Sequence, residues 1–195
     1  GIDLVSGSLV QAGLARAQAA LGPIGDLSVL VVGAGGMGAL AAATVARSGA
    51  RTVVVANRNH DRARTVADRV GGTSRHLADL GAALVEADVV ISSTGAPGQV
   101  ITADDVRRAV AARSGRPQFS IDLALPHDID LAVADLPATT RVALAELGED
   151  LSDAGSAPQV AQAGDLVTAA VAASLMAPSA EAVAPTVTAP RTHPG

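Results

Sequence analysis

The residues best placed to do chemistry are a run of glycines. Gly33-Ala34-Gly35-Gly36-Met37-Gly38 has the spacing G-x-G-x-x-G, directly after the apolar run Leu27–Val32. The pattern gains meaning when a strand precedes it and a helix follows. Gly33 permits a tight turn off the strand. Gly35 carries no Cβ, so the backbone can approach a pyrophosphate, and Gly38 lets helix and strand pack closely. Ala34, Gly36 and Met37 complete a cradle at a helix N-terminus, where unpaired N–H groups and the positive dipole end favour phosphate.

A second position selects the ligand. The next apolar run ends Val55-Ala56-Asn57-Arg58. An Asp or Glu there would accept hydrogen bonds from the ribose hydroxyls of NAD. Here no carboxylate stands at that point. Arg58 attracts a 2′-phosphate and can stack on adenine. Asn57 can bond the ribose, and Arg62 offers a second cation. Together these residues select NADPH, although Arg62 and Arg64 would equally suit a solvated helix face. A third segment, Ser92-Ser93-Thr94-Gly95-Ala96-Pro97, follows another apolar run. Ligands of doubly wound sheets sit beyond the strands' carboxyl ends, so Ser93, Thr94 and Gly95 are expected beside the nicotinamide half.

The segment Asp122-Leu-Ala-Leu-Pro126-His127-Asp128 holds carboxylates that resemble catalytic acids. Asp128 beside His127 suggests a dyad, but neighbours in a turn rarely face one another, so structural capping is expected and no catalytic residue is assigned. Cysteine is absent. That removes disulfides, thiolate metal sites and a thiol nucleophile from this chain, and no metal site is expected.

The elements that must hold these residues alternate. Helices are expected over residues 9–21, 36–48, 60–70, 76–86 and 102–113, the last opened by Thr102 with Asp104 and Asp105 in its first turn. Strands are expected at 27–32, 52–56, 88–93, 119–125 and 141–144, with a further short one at 72–75. Such alternation predicts an α/β fold: a Rossmann-type doubly wound parallel sheet of order 3-2-1-4-5-6 with helices on both faces. The domain reading is a lead and linker helix at 1–25, the nucleotide-binding unit at 26–148, a polar loop and helix at 149–177, and a Pro/Ala-rich tail at 178–195.

Composition agrees. Apolar residues make up 49% and aromatics 1%, so the core must be aliphatic, as buried parallel strands are. With a net charge of −5, no lysine and almost no stacking aromatics, the chain alone suits nucleic acid poorly. No membrane-spanning run or leader is evident, and a cytoplasmic location is expected.

These motifs, in this order, resemble those of glutamyl-tRNA reductases. The match runs through Val29–Gly38, Val55–Arg58 with Arg62-Ala63, Ala87–Pro97, and Ile121–Ala124 with Pro126 and Asp128. The resemblance implies reduction of glutamyl-tRNA to glutamate-1-semialdehyde for tetrapyrrole and heme synthesis. In that family a cysteine of an N-terminal catalytic domain forms a thioester, and NADPH reduces it. The family's enzymes are V-shaped homodimers joined by a C-terminal helical domain. On that reading this chain is the NADP(H)-binding domain, monomeric by itself. Contact with glutamyl-tRNA is expected only through domains outside it, with possible contact to the next enzyme of the pathway. Residues 183–191 would begin the dimerisation domain, with Pro190 unexpected there, and His127 stands where the family carries Arg. Two alternatives are a small shikimate-dehydrogenase-like oxidoreductase, disfavoured by the missing lysine of its Lys/Asp pair, and a Rossmann unit with a structural role only.

Overall fold

The structure is a computed structural model that describes residues 2–154. The Val/Leu/Ile runs form six strands: β1 (Ser28–Val32), β2 (Thr52–Asn57), β3 (Thr73–His76), β4 (Val89–Ser92), β5 (Gln118–Asp122) and β6 (Thr139–Ala143). They lie in one sheet of order β3-β2-β1-β4-β5-β6, as expected, and every pairing is parallel. The short strand hidden near 72–75 is β3, at one edge.

Six helices cover the sheet: α1 (Ile2–Leu21), α2 (Gly36–Arg47), α3 (His60–Arg69), α4 (Leu80–Glu86), α5 (Ala103–Ala112) and α6 (Leu144–Asp153). Alternation along each strand divides the core in two. Val29 and Val31 face a layer built by α1, α2, α3 and α6, whereas Leu30 and Val32 face α4 and α5. All four side chains are buried to 1% exposure or less, each stabilising the fold by about 1.5–3 kcal/mol. No helix among the described residues is long and apolar enough to cross a membrane.

Three helices differ from expectation. Helix α4 begins at Leu80 and not at residue 76, because His76 ends β3 and Leu77–Asp79 form a 3-10 turn. Helix α1 begins at Ile2, not Leu9, because Ser6-Gly7-Ser8 reads as loop although the helix continues through it. Its stripe Leu9, Val10, Leu14 and Ala17 is buried and anchors the rest. Residues 149–153, expected to open a polar loop, form the second half of α6, the third of these helices. Leu144 and Leu147 are buried and Leu151 packs beside them, an i, i+3, i+7 stripe among acidic residues. Glu146 accepts the Ala143 N–H at 2.8 Å, and Arg16 of α1 clasps Asp150 with two bonds of 2.6 Å. The helix expected at 165–177 and the tail at 178–195 lie outside the described residues.

The amino end of the sheet closes on a buried ion pair. Arg113, whose side chain is fully buried, donates to Asp88 at 2.7 Å and to the carbonyls of Val85 and Pro117. Burial works to raise the Asp88 pKa. The Ser28 N–H and the Arg113 guanidinium outweigh it, aided by the charge of Arg116, and hold the carboxyl below its usual range. A depressed folded-state pKa contributes stability above the unfolded value, lost as pH falls through the folded one. Arg113→Met should therefore destabilise the protein at neutral pH by about 3–5 kcal/mol. It should also flatten the acid limb of stability below about pH 4, as read by urea unfolding across pH.

Candidate functional site

The sheet order reverses between β1 and β4, and the crevice beyond their carboxyl ends is where doubly wound folds take ligands. Three backbone segments meet there. Gly33 leaves β1 at φ +112°, a conformation only glycine adopts without strain, and its N–H donates to the Ala56 carbonyl at 2.8 Å. A Cβ on Gly33 would strike the Ser93 carbonyl, and one on Gly38 would strike the Gly33 carbonyl. Both glycines are buried and exist to allow contact between backbones.

Gly35 differs. Its backbone is extended (φ −80°, ψ −169°), it caps α2, and a Cβ there meets nothing within 4 Å. Gly36 is open in the same way. The turn is therefore bare toward solvent, with the first N–H groups of the twelve-residue α2 behind it, unpaired within the helix. Met37 turns the other way and packs on the core.

Two clefts open at this end of the sheet, and the second of them reaches the glycine turn. The larger, about 450 Å³, is lined by Asn57, Arg58, Asn59 and Arg62 on one side and by Thr94, Gly95, Ala96 and Pro97 on the other, with Val32, Leu77 and Val100 between. The second, about 410 Å³, runs between α2 and α3 past Ala34, Gly35, Gly36, Arg62 and Arg69. Asn59 and Arg62 belong to both. Asn57 holds the β2–α3 loop by donating to the Asn59 carbonyl at 3.0 Å, and Asn59 caps α3 through the Arg62 N–H at 3.1 Å.

Ser93 lies at the base of the β4–α5 loop, and its N–H donates to the Val32 carbonyl at 2.9 Å. It lines neither cleft. The Thr94 hydroxyl is turned inward and donates to Asp128 at 2.6 Å. Asp122 and Asp128 are fully buried and serve structure: Asp122 accepts from the N–H groups of Ala124, Asp128 and Ile129 and from Arg141. His127 faces Asp122, with Nδ1 3.4 Å from Oδ2, and not its neighbour Asp128. Among the described residues no group of His, Cys, Asp and Glu is gathered to hold a metal.

The structure separates the two ambiguous arginines. Arg64 pairs with Asp61 at 3.3 Å, while Arg62 points to the clefts. Sequence reasoning did not single out Asn59, Leu77, Val100 or Arg69. The N-cap position of Asn59, three residues before Arg62, was a usable signal. Leu77, Val100 and Arg69 enter only through folding.

A parallel 3-2-1-4-5-6 sheet with a bare glycine turn at its switch point defines a class, the Rossmann-type domains of NAD(P)-dependent dehydrogenases. The chain belongs to the shikimate / quinate 5-dehydrogenase family, whose pattern matches residues 15–149. Similar proteins include glutamyl-tRNA reductases. Glutamyl-tRNA reductase 1 of Nocardioides sp. is 46% identical over 98% of this chain and 44% of that protein. The enzyme of Kineococcus radiotolerans is 43% identical over 97% of this chain and 43% of its own length. Among solved structures, glutamyl-tRNA reductase from Methanopyrus kandleri superposes with a TM-score of 0.69 at 34% identity, covering 86% of this chain and 43% of that one. The chain thus spans less than half the length of these relatives.

The glycines should separate by stability. Gly38→Ala forces backbone apart and should cost about 1–3 kcal/mol. Gly35→Ala adds a methyl in open space without strain and should stay within about 1 kcal/mol of the parent. Thermal unfolding followed by circular dichroism checks both; equal losses would contradict the two roles.

Proposed function

We propose that this chain is the NADPH-binding domain of a glutamyl-tRNA reductase. The whole enzyme reduces glutamyl-tRNA to glutamate-1-semialdehyde, an oxidoreductase step of tetrapyrrole and heme synthesis in the cytoplasm. One observation carries the cofactor choice. Every arginine among the described residues except Arg47, Arg58, Arg62 and Arg69 lies within 4.0 Å of a carboxylate oxygen. Three of those four unpaired cations line the two clefts, and the larger cleft has no carboxylate in its lining. Burying or pairing charge is the rule for this chain, so cations left free at one site point to an anionic ligand.

The rest of the site fits the same cofactor. The open side of Gly35 and the N–H groups of Gly36, Met37 and Gly38 suit the pyrophosphate, with Gly33 and Ala34 shaping the turn. Asn57 holds the β2–α3 loop, so that Arg58 from the loop and Arg62 from the first turn of α3 meet the 2′-phosphate. Thr94 and Gly95 carry the far rim beside the nicotinamide half, with Ser93 at its base. When bound, NADPH supplies a hydride, and this domain orients it. The acyl group and the thiol that holds it belong to other parts of the enzyme, because these 195 residues contain no cysteine. Glutamyl-tRNA contact, homodimer formation and contact with the next enzyme of the pathway are placed there too. The chain alone is monomeric.

Calorimetric titration tests the cofactor. NADPH should bind about 10- to 150-fold more tightly than NADH, the worth of charge-assisted hydrogen bonds. Arg58→Ala should remove most of that preference, and Gly35→Val should abolish binding with the fold retained. Equal affinities of the parent for both cofactors would sink the reading. The purified chain should also release no glutamate-1-semialdehyde from glutamyl-tRNA and NADPH; turnover would mean that the nucleophile lies within it.

A further inference from the structure

The β4–α5 loop forms one wall of the larger cleft, and its hydrogen bonds converge on a residue that never reaches the cleft. Asp128 is fully buried. Its Oδ2 accepts the Thr94 N–H at 2.7 Å and the Ser92 hydroxyl at 2.8 Å, and its Oδ1 accepts the Thr94 hydroxyl at 2.6 Å. The Thr94 oxygen in turn accepts the Ala96 N–H at 3.2 Å. At the other end of the loop, the Asp128 carbonyl accepts Val100 N–H at 2.7 Å and Ile101 N–H at 3.0 Å. One residue therefore fixes both where the loop leaves β4 and where it enters α5. Apart from the Ser93 N–H bond to Val32, the bonds holding residues 93–97 run to Asp128 or through Thr94 to it.

Asp128 is itself held. Its N–H donates to Asp122 Oδ1 at 3.3 Å, and Arg141 binds Asp122 at 2.9 Å. A carboxylate accepting from three donors in a buried site orients them firmly, because each would be costly to leave unpaired. The arrangement also commits the Thr94 hydroxyl inward, so this loop offers a ligand its backbone and its shape.

We propose that Asp128 is a positioning residue for cofactor binding: through Thr94 it sets the rim that receives the nicotinamide half. This rests on the NADPH reading above. The competing role is plain support of the fold, and the two halves of the cofactor tell them apart. 2′,5′-ADP reaches the Arg58 and Arg62 side alone, whereas NADPH spans both walls.

The test titrates the 195-residue chain with NADPH and with 2′,5′-ADP. In Asp128→Asn, and in Thr94→Val, which keeps the side-chain shape and the N–H bond, the NADPH Kd should rise about tenfold. The Kd for 2′,5′-ADP should stay within about twofold of the parent, well under the worth of one hydrogen bond. Thr94→Ser restores the hydroxyl and should bring the NADPH Kd back toward the parent value. Should Asp128→Asn fail to fold, Thr94→Val against Thr94→Ser decides alone. Equal weakening of both ligands, or unchanged NADPH affinity, overturns the proposal while leaving the cofactor reading in place. A parent chain that binds neither ligand overturns both.

Discussion

The architecture depends on a close approach of main chains that only missing atoms permit. At the carboxyl end of β1, Gly33 lies against the Ser93 carbonyl and Gly38 against the Gly33 carbonyl. The turn, the start of α2 and the end of β4 are thereby drawn into one knot. With a Cβ at either glycine, the helix or the neighbouring strand would have to retreat. The N–H groups of α2 would then no longer sit over the switch point between β1 and β4. The bareness of Gly35 is useful only because Gly33 and Gly38 have already brought these pieces together.

Around that knot the polar chemistry is arranged in two ways. At the amino end of the sheet, Asp88 collects Arg113, Arg51 and Arg116 within 3.6 Å, and Arg113 also binds the Val85 carbonyl near the end of α4. At the carboxyl end, Asp122 and Asp128 accept backbone N–H groups and hydroxyls, while Arg58 and Arg62 stand exposed without a carboxylate. Buried carboxylates thus tie loops down at both ends, and of the four arginines among the described residues without a carboxylate partner, all but Arg47 stand beside the clefts. That asymmetry, in a chain of net charge −5, is what gives the site its sign.

Much of this was legible in the residues themselves. Runs such as Val29–Val32 and Val89–Ile91, apolar on both faces, fit only a covered parallel sheet, and the glycines of α2's first turn mark its switch point. Asn57 and Arg58 followed from their place at the end of β2. What escaped were relations set by distance along the chain. Thr94 and Asp128 are 34 residues apart, and nothing local pairs them. Arg69 reaches the second cleft only because α3 lays its last turn beside α2. The start of α1 and the whole of α6 were hidden because Ser6-Gly7-Ser8, and Gly148 and Asp150, carry weak helical preference, which packing of Leu9, Val10, Leu144 and Leu147 overrides.

The strand order also divides the molecule by origin. Residues 28–76 build β1, β2 and β3, residues 89–143 build β4, β5 and β6, and the ladder between β1 and β4 joins the two groups. The larger cleft opens over that seam, with Asn57 and Arg58 from the first group and Gly95 and Pro97 from the second. A molecule lying across the cleft touches both groups at once. Its binding free energy is then added to the joint between them, as a brace across a seam, and separation of the two halves must first expel it.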